Sequence, residues 1–395
     1  MRGTRSYLSR TNAEVLLIGA YERDNFGDLL FFQLTKEYLA GHQVVAGSII
    51  GADMTALLGT TVHAHNPLLA QRAWDAVWVV GGEVGGVTTE NALAMSLGSD
   101  EGDIFDSVSA HGREVVSEYL ADASALAPAY LPELKRFPLN LDTPLVINSV
   151  GLGTMSPVGS SPGANAAISA LRSSRSLSVR DPSSLRFALA SGLNATLSPD
   201  MVHAIPILYP ELAEGIGRHE APYFLFQSNA HLVEKYGAEA IAKSLAGIAL
   251  ATGWRPVLFL AGIARHHDRA DQYDEVISML TAIAPNLNPT VIATRAPLEL
   301  AAWIAGSEMW IGSSLHGRII AGSFLKPRVS LVNLKVATYA SHWDSEFPAE
   351  VEVGDLGDAA SVAISAAQAP AAISQSRELS RAADRATRQL VEENV

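Results

Sequence analysis

The sequence contains no cysteine, which removes disulfide bonds and thiolate zinc sites from consideration. Positive charge is also scarce, because 28 lysines and arginines stand against 41 aspartates and glutamates and give a formal net charge of -13. This balance argues against nucleic acid or an anionic membrane as the main partner, since phosphate groups bind to basic surfaces. A small anionic substrate remains compatible with the sequence if a cleft gathers several positive groups.

Long apolar segments are missing as well. No stretch reaches the roughly 20 uninterrupted apolar residues that a membrane-spanning helix needs. Residues 1–13 carry arginines but lack the apolar region of a secretory signal. With 48% hydrophobic and 17% charged residues, the composition is typical of a soluble globular protein. We therefore expect a cytoplasmic protein with a flexible segment over residues 1–13.

What the sequence does contain is a repeated order of apolar strand, polar or glycine-rich loop and amphipathic helix. The first half has four such apolar runs, at residues 14–19, 75–82, 144–151 and 176–180. The second half has four more, at residues 222–228, 255–260, 289–294 and 308–311. This alternation predicts parallel sheets that are covered by helices on both faces.

The length of the chain predicts two domains. A single core usually divides beyond about 250 to 300 residues, and this chain has 395. We expect one Rossmann-like α/β domain at residues 14–205, with an insertion at about 83–144, and a second one at residues 222–372. Residues 206–221 are predicted to be the linker, and residues 373–395 a charged helix that packs back across the domains. Two such domains suggest a ligand cleft between them.

The segment WIGSSLHGRIIAGSFLKP places a histidine and an arginine where a strand turns into a helix. Ser314 or its neighbour can cap this helix, and the first turn then holds His316, Gly317 and Arg318. The N-terminus of a helix attracts anions through its free N–H groups and its partial positive charge. The arrangement therefore suits an acidic ligand, although a capped core helix with an ordinary buried histidine explains the pattern about equally well.

The loop after the first strand contains Asn25, Gly27 and Asp28 just before a helix. Helix capping by the polar residues and a turn at the glycine explain these residue types on composition alone. Yet open α/β sheets bind ligands at the carboxyl ends of their strands. Asp28 is therefore a candidate general base, or a group that orients a sugar hydroxyl.

Further candidates lie at other predicted strand ends. Gly82 and Glu83 belong to a glycine-rich turn that allows a ligand to approach the backbone, but the turn is not the GxGxxG of dinucleotide-binding domains. Arg180 follows the fourth strand. Arg265 and Asp268 flank two adjacent histidines, whose side chains point in different directions. We expect a solvated or anion-binding loop there rather than a metal site.

Taken in order, these features resemble the polysaccharide pyruvyl transferase family. The matching features are the NxGD loop (Asn25, Gly27, Asp28), the Gly-Gly turn at Gly82, the VGLG strand end at residues 150–153, the V-R-D helix start at Arg180, the later S-P-D at Asp200, Asp268, and the S-L-H-G of Ser314, His316 and Gly317. No single motif is specific, and the ordered set carries the resemblance. The resemblance implies a fold similar to that of GT-B glycosyltransferases, with the active site between two Rossmann-like domains.

The resemblance also implies an activity: transfer of a pyruvyl group from phosphoenolpyruvate to hydroxyls of a sugar or lipid-linked glycan, with no metal or further cofactor required. His316 would be the general acid or a hydrogen-bond partner of the phosphate, and Asp28 the base or acceptor-orienting group. Groups that would hold the donor anion are Arg318, Arg180, Lys335 and Arg265. Groups that would complete the substrate site are Asn25, Gly27, Gly82, Glu83, Asp268, Ser314 and Gly317.

One position departs from the family pattern. Many members have an arginine two residues before the histidine, whereas this chain has Ser314 there and Arg318 two residues after it. Two other functions fit the same architecture: a nucleotide-sugar glycosyltransferase and a non-catalytic protein that binds sugars or nucleotides. The acceptor sugar, the choice between ketal and enolpyruvyl ether, and the oligomeric state stay open, and a homo-oligomer is compatible with the sequence.

Overall fold

The computed structural model describes residues 12–155, 161–213, 221–265 and 267–395. Apart from residues 12 and 13, the segment predicted to be flexible lies outside the described residues. The same is true of residues 214–220 of the predicted linker and of His266.

Strands and helices alternate along the described part of the chain. The strands are β1 (Glu14–Ile18), β2 (Gln43–Ser48), β3 (Ala52–Met54), β4 (Thr60–Ala64), β5 (Ala76–Val80), β6 (Leu145–Val150), β7 (Ser176–Val179), β8 (Thr196–Leu197), β9 (Tyr223–Gln227), β10 (Arg255–Leu258), β11 (Thr290–Val291), β12 (Met309–Gly312) and β13 (Arg328–Ser330). The α-helices are α1 (Phe26–Tyr38), α2 (Thr55–Leu58), α3 (His65–Gln71), α4 (Thr89–Ser96), α5 (Ser99–Ser107), α6 (Ala110–Ala121), α7 (Pro162–Ser173), α8 (Pro182–Ala190), α9 (Ile205–Leu208), α10 (Ala230–Tyr236), α11 (Ala238–Thr252), α12 (Ala270–Ile283), α13 (Pro297–Gly306), α14 (Leu315–Ser323), α15 (Leu334–Trp343), α16 (Leu356–Ala367) and α17 (Pro370–Asn394).

The strands form two sheets, which define a first and a second domain. The first sheet has the order β3-β4-β2-β1-β5-β6-β7-β8 and is parallel except for the β3-β4 pair. The second has the order β11-β10-β9-β12-β13 and is parallel. Central strands such as β5 (AVWVV) and β9 (YFLFQ) are buried at every residue, as parallel strands covered on both faces must be. The predicted α/β class with parallel sheets is confirmed.

The strand order determines where a ligand can bind. In the first sheet the chain passes from β1 outward to β2 and β4, and then returns to the other side of β1 with β5. The second sheet repeats this order with β9, β10, β11 and then β12. At such a switch point the loops after the two central strands diverge and leave a crevice. Each domain therefore has a crevice at the carboxyl ends of its central strands.

The loop between β1 and α1 is fastened to the second domain. The Phe26 ring packs on the Phe259 ring with centroids 5.3 Å apart, and the Phe259 ring packs on Trp310 at 5.1 Å. The Phe26 N–H donates to the Ala261 carbonyl at 2.8 Å. Arg295 of the second domain also forms an ion pair with Asp24. These contacts fix the position of the loop between the two sheets.

Helix α17 returns from the second domain to the first. The Tyr38 hydroxyl donates to Asp384 at 2.9 Å, and the Asn148 amide donates to Thr387 at 3.4 Å. The chain reaches the second sheet through α9 and a short 3-10 helix at Pro210–Ala213, which form part of the predicted linker. Among the helices of the described residues, we find none with the length and apolar character that crossing a bilayer requires.

Candidate active site

A cleft of about 780 Å³ opens where the strand ends of the two sheets face each other. One side, the first-domain wall, is defined here by Arg23, Asp28, Glu83, Asp106 and Tyr130. The opposite side, the second-domain wall, is defined by Asp268, Ser314, His316, Asn333 and Lys335. The cleft therefore brings together residues from four of the loops that sequence patterns place at strand ends, together with the loop after β13.

Three long helices begin at this cleft. The N-cap residues of α1, α14 and α15 are Asn25, Ser314 and Asn333, and all three line it. Each N-cap side chain accepts a hydrogen bond from a backbone N–H in the first turn of its own helix, at 3.1–3.3 Å. The other N–H groups of these first turns and the helix dipoles contribute partial positive charge where the helices meet the cleft. This is an environment for an anion.

His316 lies in the first turn of α14 and is 8% exposed. Its Nε2 has no hydrogen-bond partner among the described residues and lies 3.9 Å from Asp200 Oδ2. The ring packs edge-on against Phe31 at 5.0 Å. Burial, together with the cations of Arg180 and Lys335, holds the pKa of His316 well below its usual range. The imidazole is therefore neutral at neutral pH while the cleft is empty.

Two motif glycines allow the helices to pack closely. A Cβ on Gly27 would lie 1.8 Å from Nδ1 of His316, so the start of α1 can meet the histidine only without a side chain at that position. A Cβ on Gly317 would lie 2.0 Å from the Trp310 ring, so α14 needs this glycine to sit on β12. The structure thus gives both residues a role in positioning His316.

Asp28 lies in the first turn of α1, and its side chain is 16% exposed. Burial raises the pKa of the Asp28 carboxyl, while the cations of Arg23 and Lys335 oppose the rise. The turn after β5 passes beside it at Gly82, which has a φ of +69° and whose added Cβ would lie 3.2 Å from Asp28 Oδ1. Asp28 and His316 thus face the same cleft from different domains.

Arg180 lies behind the cleft and is 1% exposed. Its guanidinium donates to Asp200 at 3.0 Å and to Glu83 at 3.4 Å. Glu83 lines the cleft and also accepts the Thr154 N–H at 3.1 Å. The family resemblance implies that Arg180 holds the donor anion. This expectation is wrong in the structure, because Arg180 is buried and donates to two carboxylates. Arg180 orients two carboxylates and contributes positive charge from behind.

Lys335 is the accessible cation on the second-domain wall, in the first turn of α15. Its ammonium group forms no hydrogen bond or ion pair with the described residues. Partial burial and the Arg180 guanidinium lower the pKa of Lys335, and the carboxylates of Glu83, Asp28 and Asp200 oppose this change. An amine that lies in a cleft without an ion-pair partner is suited to bind an anionic ligand.

Asp268 is connected to the start of α14. It accepts hydrogen bonds from the Gln227 amide at 2.9 and 3.1 Å and from the Ala261 N–H at 2.7 Å. The Gln227 carbonyl oxygen accepts from the N–H groups of Ser313 and Ser314 at 3.0 and 2.8 Å. Burial raises the pKa of Asp268 to about 7. Within the described residues, no cluster of three or more His, Asp and Glu side chains could hold a metal ion.

The structure corrects the assignment of Arg318 to the donor site. Arg318 is 1% exposed, donates to Asp344 at 2.7 Å and also donates to Ser330 at 3.0 Å and to the Pro348 carbonyl at 2.8 Å. Residues two apart on a helix point to different sides. When His316 faces the cleft, Arg318 must therefore face the body of the second domain.

Arg265 also differs from the expectation. Its guanidinium forms ion pairs with Asp103 and Asp106 of α5, in the segment between β5 and β6. The positive charge of Arg265 is therefore used to join the second domain to that segment, and Arg265 is not free to hold a ligand. Arg265 is separated in sequence from Asp106 by 159 positions and from Asp103 by 162 positions, so local sequence patterns do not indicate this contact.

Sequence reasoning missed several residues that line the cleft. Arg23 stands beside Glu22, and adjacent opposite charges in a loop are typical of a solvated surface. Gln227 is the last residue of β9, and Asn333 follows β13. A rule that marks the first polar residue after each apolar strand would have found Gln227. Tyr130 lies in a segment without any motif and could not have been found this way.

Comparison with known proteins agrees with the motif order. A family model described as polysaccharide pyruvyl transferase matches residues 25–334, which include most of the residues of both cleft walls. A search of the curated proteins gives no match.

Solved structures show the same architecture. The UDP-GlcNAc 2-epimerase of Methanocaldococcus jannaschii has a TM-score of 0.56 and 10% identity, with 96% of this chain and 99% of that chain covered. The enzyme of Neisseria meningitidis, bound to UDP-GlcNAc, has a TM-score of 0.53 and 11% identity, with 96% and 100% covered. At these identities the likeness shows the fold alone. The predicted GT-B-like arrangement of two domains is confirmed.

Proposed function

Because this chain belongs to the polysaccharide pyruvyl transferase family, we propose that it transfers a pyruvyl group from phosphoenolpyruvate to hydroxyls of a sugar or glycan precursor and forms a ketal. One observation carries the proposal. Three helix N-termini, the Lys335 ammonium and the unpartnered His316 imidazole meet in one cleft. A donor with a phosphate and a carboxylate needs such a local cluster, because the net charge of the whole chain repels it.

The donor anion is assigned to the second-domain wall. The first turns of α14 and α15 offer backbone N–H groups, Ser314 offers a hydroxyl, and Lys335 supplies a full positive charge. Arg180 of the first domain lies behind Glu83 on the opposite wall, is paired with Glu83 and Asp200, and is not assigned to the ligand. The helix N–H groups, Ser314 and Lys335 replace Arg318 in the proposed donor site.

His316 is the proposed general acid, and binding of the donor favours its protonated form. Burial and two nearby cations lower the pKa of His316 in the protein alone. A bound phosphate and carboxylate bring negative charge next to the ring, which raises the pKa and favours the imidazolium. The acid therefore forms only when its substrate is present, 3.9 Å from the carboxylate of Asp200.

The proposed chemistry balances with protein side chains alone. His316 protonates C3 of the enol, C2 gains oxocarbenium character, and one acceptor hydroxyl forms a C–O bond to C2 while its proton passes to Asp28. The adjacent hydroxyl then bonds to C2 as the C2–O bond to phosphate breaks, and its proton leaves with the phosphate. Asp28 then releases its proton to solvent and His316 takes one up with the next donor, which restores both groups. Asp28 is suited to accept a proton because burial raises its pKa. Since phosphoenolpyruvate is made inside cells, we place this activity in the cytoplasm.

Thermal unfolding with candidate donors tests the proposal, since a ligand that binds only the folded protein raises the midpoint. We expect phosphoenolpyruvate to raise the Tm more than UDP-GlcNAc or UDP at the same concentration. Phosphate release from phosphoenolpyruvate, measured with a panel of glycosides, then tests turnover. A response to the nucleotides alone would favour a nucleotide-sugar glycosyltransferase. Binding of phosphoenolpyruvate without phosphate release by any acceptor in the panel would favour a non-catalytic binding protein.

A further inference from the structure

Arg23 is a nearly buried arginine on the first-domain wall, and only part of its guanidinium is hydrogen-bonded. It lies in the loop between β1 and α1, lines the cleft, and its side chain is 8% exposed. Nη1 donates to Glu22 and to the Tyr130 hydroxyl, the latter at 2.7 Å. Nη2 lies 3.8 Å from Oδ2 of Asp28 and makes no hydrogen bond with the described residues. One edge of the guanidinium is thus fixed, and the other is directed at Asp28.

A buried polar network holds this guanidinium in place. The Glu22 carboxylate is fully buried and accepts hydrogen bonds from Arg23, from Ser48, from the Ser96 hydroxyl at 2.6 Å and from the Tyr130 hydroxyl at 2.9 Å. Four donors on one carboxylate leave it little freedom to reorient. The cation is therefore positioned before a ligand arrives, which lowers the cost of binding.

A hydroxyl group on the cleft side can bridge Arg23 and Asp28. At 3.8 Å the two side chains are too far apart for a hydrogen bond to each other. A guanidinium only donates and a carboxylate only accepts, whereas a hydroxyl does both. Two adjacent hydroxyls can accept from Nη2 of Arg23 and donate to Asp28 at the same time. Ketal formation needs a pair of hydroxyls on one acceptor.

The charge of this wall selects against an acidic sugar. Asp28, Glu83 and Asp106 all line it, and each of the three guanidiniums at this wall is shared between two carboxylates. These carboxylates are Glu22 and Asp28 at Arg23, Glu83 and Asp200 at Arg180, and Asp103 and Asp106 at Arg265, so the acids outnumber the cations. A carboxylate on the acceptor would meet like charges there. We propose that Arg23 and Asp28 together bind adjacent hydroxyls of an uncharged sugar, which makes Arg23 an acceptor-binding residue. This inference rests on the proposed function, because it takes the acceptor to be a sugar.

The test measures sugar and donor binding separately. Ligand-observed NMR with phosphoenolpyruvate present uses methyl galactoside, methyl glucoside, methyl mannoside and their uronic acids as probes, and calorimetry gives the Kd of phosphoenolpyruvate alone. We expect the parent to bind at least one neutral glycoside and to bind its uronic acid more weakly. Arg23→Lys keeps the charge beside Glu22 but removes the second N–H edge. It should raise the glycoside Kd by about tenfold and leave the phosphoenolpyruvate Kd unchanged.

Arg113→Lys is the matched control. Arg113 forms an ion pair with Glu90 in the same domain, at 2.9 Å, and lies outside the cleft. It should change neither affinity. Tyr130→Phe is a more conservative variant, which removes one hydrogen bond to Arg23. It should also raise the glycoside Kd, but by less than Arg23→Lys does.

Three results would overturn the inference: equal loss of sugar and donor affinity in Arg23→Lys, binding of the uronic acid as tight as that of the neutral glycoside, or no binding of any neutral glycoside by the parent. If the parent fails to bind phosphoenolpyruvate while Arg23→Lys still weakens glycoside binding, the proposed function fails and the acceptor site stands.

Discussion

The two walls of the cleft differ in how they are built and charged. The second-domain wall presents two helix N-termini, a neutral histidine, the Asp268 carboxyl, and a lysine that has no ion-pair partner in the described part of the chain. The first-domain wall presents one helix N-terminus and three carboxylates, and its arginine is already paired with Glu22. The first set of groups suits an acid phosphate, and the second suits an uncharged polyol. Under the proposed function, this difference assigns the donor and the acceptor to opposite walls.

The same contrast exists within one helix turn. His316 and Arg318 belong to α14, yet His316 faces the cleft while Arg318 forms an ion pair with Asp344 in the body of the domain. His316 is thus placed where a ligand could reach it, whereas Arg318 is used by the fold. Substitutions at the two positions should therefore have different consequences.

The largest effect is expected at the acid on the second-domain wall. His316→Ala removes the proposed proton donor to C3, and we expect phosphate release from phosphoenolpyruvate to fall by about 100-fold or more. The measurement is the initial rate with a competent acceptor. The exposed His342 of α15 provides the control His342→Ala, which should keep the parent rate. A parent-like rate in His316→Ala would show that this wall binds the donor without supplying a proton.

Arg318→Lys should weaken the fold and leave the donor site intact. The substitution breaks hydrogen bonds to the side chains of Asp344 and Ser330 and to three backbone carbonyls, at Asp344, Phe347 and Pro348. We expect the free energy of unfolding to fall by about 1–3 kcal/mol, measured by urea unfolding. The KM for phosphoenolpyruvate should stay at the parent value. A raised KM for phosphoenolpyruvate with unchanged stability would instead indicate that Arg318 contacts the donor.

Lys335→Met should act in the opposite way. The ammonium group lines the cleft without an ion-pair partner among the described residues, so its removal costs the fold little. We expect the Kd of phosphoenolpyruvate to rise by about tenfold, measured by calorimetry, while the Tm changes little. Lys243→Met, which removes an exposed ion pair with Glu239 on α11, is the matched control. Equal donor affinity in Lys335→Met and the parent would contradict the assignment of this wall.

The smallest effect is expected from Asp268, a carboxyl on the wall assigned to the anion. Its pKa of about 7 means that it is neutral below this pH and charged above it. The charged form repels the donor anion. The ratio of the parent Kd to the Asp268→Asn Kd should therefore rise about two- to threefold between about pH 6 and about pH 8. The donor's own titration is common to both proteins and cancels in the ratio of their Kd values. Parallel pH profiles would exclude an electrostatic role for Asp268.

Much of the fold and part of the site follow from sequence patterns. Buried parallel strands give continuous apolar runs, and the polar residue at the end of such a run must lie at the carboxyl edge of the sheet. Asp28, Glu83, Asp268 and Ser314 were found this way, and all four line the cleft.

The remaining residues depend on direction and on distant partners. Helical periodicity alone would have shown that Arg318 turns away when His316 faces the ligand. No local pattern reports that Arg265 meets Asp103 and Asp106, or that Arg23 meets Tyr130, 107 residues later in the chain. Charged residues in loops look alike in sequence whether they hold a ligand or each other.

A crystal structure of the complex with phosphoenolpyruvate tests the central claim most directly. We expect the phosphate to lie within hydrogen-bond distance of the N–H groups at the start of α14 and of the Lys335 ammonium. The His316 ring should face the enol carbon. A phosphate bound against the first-domain wall, or outside the cleft, would contradict the division of the two walls into donor and acceptor sides.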